Sequence, residues 1–123
     1  MTTITPVEFE ILSQSTEDLT GLWEFAWYFQ SHSHELSAAA ALELARDGVR
    51  SLLNKGLIEL HSREVEAQSS RLVPEEKVGV ELARYANWTG QPTRGQLVWA
   101  TATDLGMKLY FEGGLDVVPK DAG

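Results

Sequence analysis

Apolar residues recur at helical spacing most clearly in the middle of the chain, where Ala38, Leu42, Ala45, Val49, Leu52 and Leu53 share one stripe. Ser37 stands where an N-cap is needed, and Gly56 follows Lys55 where a left-handed residue closes a last turn. The spacing therefore predicts a helix over 37–55. Leu57-Ile58-Glu59-Leu60-His61 then alternates as a half-buried strand, taken over 57–62. A second stretch of β-favouring residues, 96–102 (Gln-Leu-Val-Trp-Ala-Thr-Ala), is expected to pair with it antiparallel.

Upstream, Ser15 or Thr16 is expected to cap a helix over 17–30, with Leu19, Leu22, Trp23, Ala26, Trp27 and Phe29 inward. Five aromatics fall within Trp23–Phe29, more than one helix face needs. Phe25 lies at the margin of the expected face and Tyr28 points away from it, so both are candidate contacts to a second subunit. Thr5-Pro6-Val7-Glu8 fits a capping box, yet Val7, Phe9 and Ile11 alternate as a strand would. Both readings of 6–13 stand at this level. Further helices are expected over 75–86, started by Pro74 and two glutamates, and over 104–112, capped by Thr103. In all, four helices and a small antiparallel sheet make an α+β domain over 1–114, with 115–123 as a C-terminal tail. Gly48, inside the central helix, costs about 1 kcal/mol relative to Ala, which points to a kink or a close helix contact there.

Charge narrows the function classes. The net charge is −8, and residues 1–45 contain no Lys or Arg, carrying −7 through Glu8, Glu10, Glu17, Asp18, Glu24, Glu35 and Glu43. Only 46–63 is positive, at +2, through Arg46, Arg50, Lys55 and Arg63 against Asp47 and Glu59. Phosphate recognition needs clustered cations, so polyanion binding is disfavoured everywhere else. The chain has no cysteine, which removes disulfides, thiol nucleophiles and cysteine zinc sites. Neither a glycine-rich phosphate loop nor a Gly-x-Ser-x-Gly or His-Glu-x-x-His signature is present, and no cofactor is implied. His32 and His34 beside Glu35 could bind metal only with further ligands the sequence does not offer, so they read as a solvated loop. The segment Met1–Thr5 has neither a basic nor an apolar run, and the longest apolar run is Ala38–Leu42, so a cytoplasmic, non-membrane protein is expected.

The run Val49-Arg50-Ser51-Leu52-Leu53-Asn54-Lys55-Gly56-Leu57-Ile58-Glu59-Leu60 resembles the recognition-helix-to-wing junction of winged-helix proteins. Ala102-Thr103-Asp104-Leu105-Gly106 is similar to their strand-to-last-helix junction, and Gly21-Leu22-Trp23-Glu24 resembles a helix start in small bacterial proteins. The resemblance implies a winged-helix-like fold and, with it, DNA contact through Arg46, Arg50, Asn54, Lys55 and Arg63. Three features weigh against DNA. The stretch 31–37 leaves little room for a separate second helix, the stretch 63–95 replaces a short basic wing, and the charge has the wrong sign. The expected function is a non-enzymatic protein-interaction module, homodimeric, with a DNA-binding regulator as the alternative.

Overall fold

A computed structural model of the chain describes residues 2–33, 35–64, 70–89 and 96–118. Its start resolves the first ambiguity in favour of a helix. Thr5 Oγ1 accepts the Glu8 N–H at 3.1 Å, the Glu8 carboxylate accepts the Thr5 N–H at 3.1 Å, and Pro6 occupies the first turn. This capping box launches α1 (Pro6–Glu17), preceded by β1 (Thr2–Ile4). The alternation of Val7, Phe9 and Ile11 loses to helical burial of Glu8, Ile11, Leu12 and Ser15.

The helix expected over 17–30 is corrected by this. Ser15 Oγ donates to the Ile11 carbonyl and Thr16 Oγ1 to the Ser13 carbonyl, both at 2.7 Å, so neither side chain caps a new helix. The chain extends at Asp18, forms β2 (Thr20–Gly21), and only then enters α2 (Leu22–His32), where the Gly21 N–H meets the Glu24 carboxylate at 2.6 Å. The later start rotates the buried face to Leu22, Phe25, Ala26 and Phe29, an i, i+3, i+4, i+7 set. Leu19 and Trp27, expected inside, are exposed.

Next comes α3 (Ala38–Asn54), capped as expected by Ser37, whose Oγ accepts the Ala40 N–H at 3.1 Å. It buries Ala41, Ala45, Gly48, Val49 and Leu52. Gly48 marks the crossing of α1 and α3. A β-carbon there would come within 2.6 Å of Ile11 Cδ1 and 3.2 Å of Val7 Cγ1. Gly56 closes the helix at φ 74°, and β3 (Ile58–Glu64) follows. After β4 (Arg71–Leu72) come α4 (Glu75–Ala83), a 3-10 turn (Tyr85–Trp88), β5 (Gln96–Ala102), α5 (Asp104–Glu112) and β6 (Leu115–Val117).

The fold is α+β, as expected, with five α-helices among the described residues rather than four. The main sheet is antiparallel in the order β2-β5-β3-β4, and β3 and β5 pair from Ile58↔Ala102 to Glu64↔Gln96. Ile58, Leu60, Val98 and Ala100 face the helices and are buried, while Glu59, His61, Trp99 and Thr101 alternate with them on the other face. The expected tail is partly structured. Residues Leu115–Val117 run parallel to β1, from Thr2↔Leu115 to Ile4↔Val117, and 119–123 lie outside the described residues. No helix among the described residues is long and apolar enough to cross a membrane.

The two junctions that carry the winged-helix resemblance meet in space. Thr103 Oγ1 donates to the Gly56 carbonyl at 2.7 Å, its N–H donates to the Leu57 carbonyl at 3.0 Å, and its Oγ1 also caps Gly106 at 3.1 Å.

Lys55 closes a second long-range tie. Its ammonium donates to the Glu8 carboxylate at 2.7 Å and to the Thr3 carbonyl at 3.0 Å, and the Ser51 hydroxyl donates to the same Glu8 oxygen at 2.9 Å. Burial pushes the Glu8 carboxyl up, but Lys55, Ser51 and the Thr5 N–H outweigh it and hold the pKa below its ordinary value. A depressed carboxylate contributes stability above its unfolded pKa of about 4.3 and loses it as pH falls through the folded value. Replacing Glu8 with Gln should cost about 1.5–3 kcal/mol at neutral pH, the range for hydrogen bonds to charged groups. Urea melts taken from about pH 7 down to about pH 3 should then lose stability more steeply in the unaltered chain than in Glu8→Gln.

Candidate functional site

The five cations and polar groups expected to touch DNA do not form one strip. Lys55 is bound to Glu8. Arg63 lies over Trp99, with its guanidinium 4.8 Å from the ring centre, beyond the sheet from α3. Arg50 and Asn54 are exposed and line a cleft of about 560 Å³ that has α4 residues Val78, Gly79 and Leu82 as its far wall. Arg46 lies one turn earlier, 5.8 Å above the Trp88 ring. Neither Glu43 with Arg46 nor Asp47 with Arg50 forms an ion pair along α3. Among the described residues the ion pairs are Lys55–Glu8, Arg84–Glu81 and the contact of His61 with Glu59.

The segment between β3 and β5 therefore flanks the outward face of α3. Its 3-10 turn packs against α2, placing the Trp88 ring under Arg46, and the Trp88 indole N–H donates to the Leu82 carbonyl at 2.9 Å. Asn87 Nδ2 donates to the Glu81 carbonyl at 2.7 Å, which ties the turn to the end of α4. The result is an aromatic cleft of about 530 Å³ between α2, the first half of α3 and the turn. Trp88 and Ala26 are buried at its base, and Trp27 and Tyr85 stand at its lips, 54% and 69% exposed. Arg46 and Glu43 supply its charges. The Nε of Arg46 is buried without a hydrogen-bond partner, as is that of Arg63.

Of the two candidate subunit contacts, Phe25 is corrected outright. It is fully buried within its own chain, because α2 starts at Leu22 and turns Phe25 into the core. Tyr28 is half-buried, stacked on His32 at 4.0 Å and edge-on to Phe29 at 5.5 Å. The Glu10 carboxylate raises the pKa of its phenol. His32 belongs to α2 rather than to a loop, and its ring nitrogen hydrogen-bonds the Tyr28 carbonyl at 2.9 Å. His34 lies outside the described residues, and no group of three or more potential metal ligands gathers among those described.

Sequence reasoning missed the cleft. Its signal was the aromatic surplus of α2 together with Tyr85-Ala86-Asn87-Trp88, two aromatics immediately ahead of a Gly- and Pro-containing stretch. Comparison of the chain with protein-family models, with curated proteins and with solved structures finds no match in any of the three.

Proposed function

We propose that this chain is a non-enzymatic protein-interaction module on a winged-helix-like scaffold. The scaffold reading is supported by the order α1, β2, α2, α3, β3, β5 and by the short β2 lying beside β5 in the sheet. On this reading α1 and α2 serve as the first and second helices, and 33–37 is the connection into α3.

One observation carries the functional half of the proposal. The segment between β3 and β5 runs along one flank of α3 for most of its length, with the 3-10 turn beside its first half and α4 beside its second. An α-helix with its side chains is about 10–12 Å across, and a B-DNA major groove is about 12 Å wide, so a helix entering it leaves no room for α4 or the 3-10 turn alongside. The net charge of −8 acts in the same direction. Contact with a protein needs neither a clear helix nor a positive field. It needs exposed, rigid apolar groups, and Trp27 and Tyr85 are such groups. Homodimerisation that uses Tyr28 is one form of this role.

A labelled mixed-sequence DNA duplex titrated at low salt tests the proposal. No binding is expected. Salt-sensitive binding that Arg46→Ala with Arg50→Ala removes would overturn the interaction reading in favour of a DNA-binding regulator.

A further inference from the structure

The aromatic cleft combines three features that point to one kind of occupant. Its lips are Trp27 and Tyr85, and its cation is Arg46, so it displays the three residue types that dominate the energetics of protein contacts. Among the described residues Arg46 has no carboxylate partner, although Glu43 and Asp47 stand within a turn of it. A half-buried guanidinium stacked on an indole is a partly desolvated cation, and a planar carboxylate satisfies it best.

We propose that the cleft takes a segment of a partner protein in which a bulky apolar side chain stands beside a single carboxylate. The apolar group sits between Trp27 and Tyr85, and the carboxylate pairs with Arg46. This rests on the interaction reading above and names the partner's chemistry.

Two observations set the limits of that chemistry. Glu43 lines the same cleft and residues 1–45 carry −7, so a polyanion is repelled and the segment is neutral or basic apart from its one acid. The lips are more than half exposed, so a small acid would leave much of its own surface in water, where a pocket for a small molecule buries 70–90% or more of it. A peptide carries its own flanking backbone over both lips.

A random dodecapeptide phage library panned against the intact chain tests this, with the enriched peptides resynthesised and titrated by fluorescence anisotropy. The expected peptides place Asp or Glu next to a Leu, Ile, Met or Phe. Arg46→Gln and Trp27→Ala should each weaken them about tenfold or more. Exchanging the peptide acid for its amide should cost as much on the unaltered chain and almost nothing further on Arg46→Gln. Tyr85→Ala serves as a second lip variant, since its side chain lies mostly in solvent and its loss leaves the core intact.

Peptides that bind Arg46→Gln and Trp27→Ala undiminished would overturn the site while leaving the interaction reading in place. So would self-association that Trp27→Ala abolishes without any peptide enrichment, which would make the cleft an interface between copies. An unproductive library overturns the inference, and if the same chain binds duplex DNA, the interaction reading falls with it.

Discussion

Leu52→Ala should cost the chain about 2–5 kcal/mol in urea unfolding, while Arg50→Ala, two residues away on the same helix, should cost less than about 0.5 kcal/mol. Leu52 is fully buried in the core cluster that also holds Ile11, Val49, Leu57 and Leu60. Its backbone carbonyl accepts the Leu57 N–H at 3.0 Å across the Gly56 turn. That bond anchors α3 to the start of β3, so the surroundings cannot collapse freely into the space a truncated side chain leaves, and the cavity term adds to the transfer term. Arg50 is exposed and has neither an ion pair nor a side-chain hydrogen bond among the described residues. Similar losses from the two substitutions would show that stability does not come from the face of α3 that is buried here.

Gly106→Ala should destabilise by about 2 kcal/mol or more, although alanine is the better helix former by about 1 kcal/mol. Gly106 is buried in the first turn of α5, where its N–H is bound by Thr103 Oγ1. A β-carbon there would run into the Leu57 carbonyl oxygen and would come within 3.3 Å of Leu12 Cδ1. The obstacle is backbone, so no rotamer change relieves it. That same carbonyl accepts the Thr103 N–H, and moving α5 away breaks the tie between the helix stop at Gly56 and the cap at Thr103. Gly79 is the control. It is exposed on α4 with open space around its Cα, so Gly79→Ala should instead stabilise by up to about 1 kcal/mol. Thermal melts of the two variants should move in opposite directions. A Gly106→Ala melt that follows Gly79→Ala would mean that α5 is not seated on Leu57.

Both substitutions fall where the sequence was most readable. As caps and a helix stop, Ser37, Gly56 and Thr103 act on backbone groups within three or four residues of themselves, so those roles follow from local chemistry. The α3 stripe is nearly as local, because a helix phase is set by its own periodicity. Ala45, Val49 and Leu52 are buried as the spacing predicts, and of the stripe only Ala38 in the first turn is exposed. The strands flanking these signals were placed to within a residue or two for the same reason.

The first forty residues were less legible because capping residues are ambiguous. Ser15, Thr16 and Asp18 have the side chains of an N-cap, but two of them hydrogen-bond backward into α1, and nothing in their neighbours distinguishes the two uses. A helix start misplaced to Glu17 then turned α2 and exchanged Phe25 for Trp27 between core and surface.

By itself, then, the sequence determined the α+β class, the central helix with its cap and stop, the pairing strands and the sign of the surface charge. These depend on composition, on periodicity or on bonds a few residues long. The tertiary structure alone decided the rest, because each remaining feature needs a partner distant in the chain. Thr20-Gly21 is a strand only because β5 lies beside it, and Leu115–Val117 is a strand because it pairs with β1. Arg46 has two carboxylates within one turn but rests on Trp88, which the segment between β3 and β5 brings to it. The aromatic cleft exists because that segment folds back along α3, a long-range packing choice that no local pattern encodes.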